Sequence, residues 1–437
     1  MAVASRLEAQ NIFVKELDFP VLNDFGGEGM VTKGGNFIFK QQIRYSDSSI
    51  IRLIKVDKEG NPLKEKSISN VSAKYIIQYD GTFFSVNDTS FVVSHTYEYD
   101  SSSYLTTVDT NLNILEQDTL LLGNRDCIPY RIIALSSNSI KLIASCYVNS
   151  TFHFEAIEYD LVTDQMTILD TAGYYNNRNE LLNTTVLGDF VFGAFTVGDP
   201  LIRTGYFKYA VEGKTFEEFV EPNNEKSAPI SGSDNKSLFT AAESDRTLFI
   251  NEIDTMNFLV KQASEYSFKN YALPADIEII DDRISILVNV LDSFLRPRPY
   301  LFTCNKSNFD SLALVPLFPS DSIIGELWTM LYDENSEAFY FTGSINDPLK
   351  RTVVVRTDKF GCVQEMCLSQ EEHQNISSTK LSYVTCEELR TQLGLVEILD
   401  VKGHAIYSGQ SIAFSCQEHP PGTSRFYMKP ARESFAC

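Results

Sequence analysis

A hydrophobic run that closes on Asp or Asn returns along this chain about every 50 residues, and a fixed period of that size marks a repeat fold. The run is clearest at Ile51-Arg52-Leu53-Ile54-Lys55-Val56-Asp57, followed by Gly60. It returns at Tyr104–Asp109 and Phe154–Asp160, and more weakly at Gly205–Ala210. It appears again at Tyr300–Asn305 and at Val353–Asp358, with Gly361 behind the last. The long interval between Ala210 and Tyr300 has room for one more unit, near Phe249 to Leu259. That makes seven units.

A second short run precedes each of these by about fifteen residues, within the spacing of a hairpin. These runs are Asn36–Lys40, Ser90–Ser94, Ser139–Ala144, Asp189–Gly193, Thr247–Ile250, Arg283–Val288 and Ala338–Gly343. They are β-branched or aromatic and bounded by Asp, Asn, Ser or Gly, as strands are. Each pair predicts an inner strand, a polar loop and an outer strand. Aromatics make up 12% of the chain, which suits a pleated, half-buried surface. The expectation is an all-β fold: a seven-bladed β-propeller over residues 12–368, followed by a small C-terminal β domain. Radial closure would leave few exposed sheet edges. An array of β-sandwiches is the alternative. The first run, Ile12–Leu17, is placed to complete the last blade beside Val353–Asp358 and so close the ring.

The net charge of −21 would repel nucleic acid and anionic lipid, and no Lys/Arg cluster offsets it, so no nucleic-acid partner is expected. No apolar run reaches the roughly 18 residues of a membrane helix, so no transmembrane segment is expected. Residues 1–11 carry one Arg and no apolar core, yet Leu7-Glu8-Ala9-Gln10 looks like a cleavage junction. They are read as the remnant of a leader or tag. Eight cysteines are present, five of them at or beyond Cys362. Cys362-x4-Cys367 lacks a second pair and a nearby His pair, so no metal site is expected there. Cys127 and Cys146 lie on predicted strands and are read as buried small apolar residues, with a disulfide as the alternative. Seven Asn-x-Ser/Thr sequons leave glycosylation open.

No phosphate-binding glycine loop, G-x-S-x-G elbow or H-E-x-x-H is present, and no cofactor is expected. Of the five histidines, His95 follows a predicted inner strand; it reads as a strand-end histidine, with lining of the central channel as the functional alternative. His153, between Phe152 and Phe154, is read as packing or surface. Carboxylates gather at Asp254, Asp276, Glu278, Asp281, Asp282 and Asp292. Paired carboxylates around a channel can act as acid and base, whereas Asp281-Asp282-Arg283 before a strand also reads as a turn. Asp333–Glu337 reads as a hairpin turn. Arg296-Pro297-Arg298-Pro299-Tyr300 is the one compact basic-aromatic segment, assigned to the loop between the strands of the sixth unit. It reads as a stiff Pro-rich connection with solvated Arg, or as a segment that could grip a carboxylate or stack a sugar. The candidate ligand-binding residues are therefore His95, Asp282, Arg296, Arg298 and Tyr300. Trp328 is assigned to blade core.

After Met366 the pattern changes. Residues 369–392 read as a polar linker. Residues 393–437 alternate apolar and polar residues over two strands, Gly394 to Tyr407, followed by the turn Pro420-Pro421-Gly422. Arg356-Thr357-Asp358-Lys359-Phe360-Gly361-Cys362 resembles the K-T-D-x-x-G strand ends of exported Bacteroidota repeat propellers. Val396, Ile398, Asp400, Gly403, Ile406 and Gly422 resemble the positions of type IX secretion sorting domains, with His404 where those domains carry Arg. The resemblance implies a secreted or cell-surface protein that meets export machinery through its C-terminal region. It implies nothing about ligand. The expected function is a scaffold binding a protein or glycan at a propeller face. The alternative is a glycoside hydrolase or polysaccharide lyase using channel carboxylates.

Overall fold

The structure is a computed structural model. It describes residues 13–362, apart from short connections between strands, and residues 383–384, 395–399, 405–410 and 426–430 of the tail. The expected leader remnant at 1–11 and most of the expected linker lie outside the described residues. All described regular structure is β. No described helix is long and apolar enough to cross a membrane.

Seven sheets form a ring. Strand β1 (Phe13–Leu17) stands apart in sequence. Blade 1 is β2 (Asn23–Val31), β3 (Phe37–Arg44), β4 (Ser49–Val56) and β5 (Pro62–Val71). Blade 2 is β6 (Tyr75–Ile76) and β7 (Phe83–Asn87), both on β8 (Ser90–Tyr97), then β9 (Ser102–Asp109) and β10 (Ile114–Leu121). Blade 3 is β11 (Asp126–Leu135), β12 (Ser139–Val148), β13 (Thr151–Asp160) and β14 (Gln165–Tyr175). Blade 4 is β15 (Glu180–Leu187), β16 (Phe190–Gly198), β17 (Ile202–Ala210) and β18 (Thr215–Val220). Blade 5 is β19 (Ser227–Ser233), β20 (Leu238–Ser244), β21 (Thr247–Ile253) and β22 (Val260–Ser267). Blade 6 is β23 (Ala272–Ile280), β24 (Arg283–Leu291), β25 (Pro297–Asn305) and β26 (Ser311–Pro316). Blade 7 is β27 (Gly325–Asp333), β28 (Ala338–Asp347) and β29 (Leu349–Asp358), with β1 as its fourth strand. The fold is the expected seven-bladed β-propeller.

β1 closes the ring by pairing antiparallel with β29, from Phe13 opposite Arg356 to Leu17 opposite Thr352. Seven apolar clusters hold neighbouring blades together, one at each blade–blade interface among the described residues. Among the described residues the apolar cluster between blades 4 and 5 is the smallest, made of Leu187, Phe192, Ala194, Tyr206, Leu238 and Ile253.

The periodic Asp has a physical cause. It ends the third strand of a blade and shapes the turn that follows. The Asp109 carboxylate accepts N–H bonds from Asn111 and Asn113, both at 2.8 Å, and one from the Asn113 side chain. Asp57 takes the same bonds from Glu59 and Asn61, and Asp358 from Phe360 and Cys362. The residue three after the Asp then turns left-handed: Leu112 at φ 58°, Gly60 at 80° and Gly361 at 83°. Burial raises the pKa of Asp109, but the N–H donations outweigh it and leave the pKa lowered. Asp109→Ala is expected to cost about 1 kcal/mol in urea unfolding, the scale of charged hydrogen bonds in an exposed turn. An unchanged midpoint would show that the turn forms without its carboxylate.

Four sequence expectations need correction. The two apolar runs of each unit are the second and third strands of its blade, not an inner and an outer one; the first strand is innermost. The segment Pro297 to Tyr300 lies on β25 rather than in a loop. Proline is tolerated there because pairing with β26 begins only at Tyr300, one residue after Pro299. Cys127 and Cys146 are directly opposite in register and form a disulfide. Trp328 sits half-buried on an innermost strand, at a bulge, rather than in blade core.

The tail is a separate compact unit, Glu365–Cys437. Four short strands, β30 (Tyr383–Val384), β31 (Leu395–Leu399), β32 (Ala405–Gln410) and β33 (Phe426–Pro430), form one sheet in the order β30-β33-β31-β32.

Candidate functional site at the ring centre

Most of the innermost strands are interrupted. β2, β11, β15, β19, β23 and β27 each carry a register shift against the second strand of the blade. A bulge strengthens twist and re-aims the side chains that follow it. Here those side chains face a central cavity of about 270 Å³. Glu28, Arg131, Asn183, Thr185, Ser231, Asp276, Glu278 and Thr329 give it a polar wall drawn from six blades.

Several of these groups also tie blades together. The Glu28 carboxylate accepts the N–H of Phe83 in blade 2 at 3.1 Å. Asp276 accepts the N–H of Met330 in blade 7 at 2.7 Å. Asn183 donates to the Ser231 carbonyl at 2.9 Å and accepts from the Ser231 N–H at 2.6 Å. Thr185 and Ser233 meet at 3.1 Å. These bonds join blades 4 and 5 beside their small apolar cluster. Thr342 of blade 7 donates to the Gly27 carbonyl at 2.6 Å.

An ionisable cluster stands behind Glu28. Lys40 is 2% exposed, and burial lowers its pKa to about 8 against the opposing charge of Glu28. His95 is 1% exposed and stacks on Tyr104 at 5.3 Å between ring centroids. Burial, and secondarily the charge of Lys40, pushes His95 down to about 3.

The residues singled out from sequence are scattered. His95 is enclosed between blades 1 and 2 and does not line the cavity. Asp282 is exposed in the turn from β23 to β24, where its carbonyl accepts the Lys306 N–H. Arg296 lies in the turn from β24 to β25 and pairs with Asp292 at 2.7 Å, which lowers the Asp292 pKa to about 2. Arg298 and Tyr300 are half-buried on β25. Of the wider carboxylate group, Asp276 and Glu278 reach the cavity wall. Glu28, Arg131 and Asn183 were not singled out, because their strands lack an apolar period. Asn183 also sits in a sequon, but it is 6% exposed and bonded across blades. Asp333 does shape a hairpin turn, accepting bonds from Asn335 and Ser336.

No family model matches this chain. No curated protein matches it. Among solved structures, an oligogalacturonate lyase in complex with manganese superposes with a TM-score of 0.53 at 12% identity, covering 81% of this chain and 95% of that one. The Dos1 propeller superposes with a TM-score of 0.47 at 12% identity, covering 79% and 95%. At such identity the first likeness speaks for the fold alone, and it agrees with the seven-bladed ring seen here.

Proposed function

We propose that this propeller is a binding module that takes a neutral polyhydroxylated ligand, a glycan, at its central cavity. The observation that carries the reading is the cavity wall: hydroxyls, an amide, carboxylates and one guanidinium from six blades. Such groups exchange hydrogen bonds with sugar hydroxyls and hold orientation on a rigid frame. The ligand is neutral because three carboxylates against one arginine, in a chain of net charge −21, oppose an acidic glycan. The disulfide suits maturation in an oxidising compartment, in keeping with a secreted or cell-surface protein.

The rival reading is a lyase or hydrolase acting through the channel carboxylates. A manganese centre does not fit the channel. Among the described residues, the one set of His, Cys, Asp and Glu ligand atoms within 4.8 Å of each other is Cys127, Cys146 and Glu155, in blade 3. Glu28 and Asp276 already hold neighbouring blades as acceptors.

Glycan-array binding of the full chain tests the proposal, with each hit incubated and assayed for cleavage. Arg131→Ala and Glu278→Gln are each expected to weaken a neutral-glycan hit at least about tenfold, the loss of one good hydrogen bond. Cleavage of a hit would replace the binding reading with the enzyme reading. Hits unaffected by both substitutions would move the site off the channel.

A further inference from the structure

We propose that Cys127, Cys146, His153 and Glu155 form a buried site for one divalent, thiolate-binding metal ion, zinc(II) by preference, open to the chain while the two cysteines are reduced. The strand register builds it. Cys127 on β11 is opposite Cys146 on β12, and Cys146 is opposite His153 on β13. The three side chains therefore form a row across neighbouring strands, and Glu155, two residues on, shares the face of His153. Ligand atoms of Cys127, Cys146 and Glu155 lie within 4.8 Å of one another. His153 Nε2 is 2.7 Å from Glu155 Oε1. All four residues are at most 5% exposed.

The cysteines belong to an apolar cluster with Val92, Leu105, Ile132 and Leu142. A carboxylate and an imidazole beside that cluster offset part of their burial cost through their own 2.7 Å contact. Two sulfurs, a nitrogen and an oxygen are ligands that borderline-soft zinc takes in tetrahedral sites. Zinc bond lengths of 2.0–2.3 Å place such ligand atoms roughly 3.3–3.8 Å apart, inside the 4.8 Å that spans the ligand atoms of Cys127, Cys146 and Glu155.

In the structure the two sulfurs are joined. A dithiol reductant cleaves the bond; the cysteine sulfurs gain two electrons and two protons, and the reductant leaves as its cyclic disulfide. Zinc(II) then displaces both thiol protons to solvent and accepts lone pairs from the two thiolates, neutral His153 and the Glu155 carboxylate. Disulfide and metal are alternative closures of one point, the metal suited to a chain not yet oxidised. Because the site is enclosed, it fills during folding.

The test uses the full chain with the four tail cysteines changed to Ser, reduced, unfolded and refolded anaerobically with cobalt(II) or zinc(II). The expected result is one metal per chain, tetrahedral thiolate–cobalt bands, and two sulfurs plus two nitrogen or oxygen ligands at zinc by X-ray absorption. Cys127→Ser with Cys146→Ser should abolish binding, whereas Cys304→Ser should not. His153→Gln, a milder change, should weaken zinc at least tenfold in chelator competition, which keeps the test decisive where the double variant misfolds. Failure to retain metal, a sulfur count other than two, or binding that survives loss of both cysteines would each overturn the proposal.

Discussion

Phe13→Ala is expected to lower the unfolding free energy by about 3–5 kcal/mol, the range for truncating a core phenylalanine. β1 is five residues long, yet it alone supplies the fourth strand of blade 7. Phe13 is 9% exposed and Leu17 is 4% exposed. Both join Phe37, Phe39, Val56, Tyr340 and Val354 in the cluster that seals blade 7 to blade 1. Phe13 packs on Gly60, where an added methyl would come within 2.5 Å of its ring while the backbone holds φ at +80°. Gly60→Ala should therefore damage the same contact from the other side. Urea unfolding measures both, and a lower midpoint at unchanged slope is the expected signature. Glu16→Ala is the control, since it removes only a surface ion pair to Arg351 at 3.3 Å, worth about 0–1 kcal/mol. Equal effects of Phe13→Ala and Glu16→Ala would mean that β1 does not close the ring.

Stability is expected to fall by about 2–3 kcal/mol between pH 6.5 and pH 4.5 in the native chain, and by less in His95→Phe by roughly that amount. His95 has an ordinary value of 6.5 and a folded value of about 3. Between those limits the unfolded chain binds a proton that the folded chain refuses, so stability declines as pH falls. The upper half of the window lies above the ordinary range of carboxylates such as Asp109 and Asp160, which separates the two contributions. Phenylalanine keeps the stack on Tyr104 without a titratable nitrogen. Lys40 acts in the same direction at the alkaline end: stability should rise by about 3 kcal/mol from pH 8 to pH 10.5, as the unfolded chain loses the proton already gone from the folded one. Urea midpoints across pH for the native chain and His95→Phe decide the matter. Parallel acid limbs would show that His95 is not held neutral.

Blade number and ring closure were legible because the features that specify them are local. Apolar pairs such as Phe37 to Lys40 with Ile51 to Val56 form the middle of each blade, and Asp57 with Gly60 ends it with a turn that few other residues can make. The cavity was legible only in Asp276 and Glu278, because several of its strands earn no periodic signal. β15 and β19 offer Asn183, Thr184, Ser231 and Gly232 where a core strand would offer Val or Ile, and bulges break their alternation. His95 was misplaced for the same reason: with the innermost strand unseen, the second strand looked innermost. The disulfide depended on register, and the register that sets two cysteines 19 residues apart opposite each other is invisible in composition.

The antiparallel latch also sets how the ring yields to force. Phe13 pairs with Arg356, so the chain enters β1 and leaves β29 at the same end of their ladder. Tension drawn between those two exits concentrates on one rung at a time, peeling β1 away from Phe13 toward Leu17 instead of shearing all five residues together. The propeller is thus a mechanically soft link in the direction along which its own chain would pull it, and blade 7 is the blade that opens first.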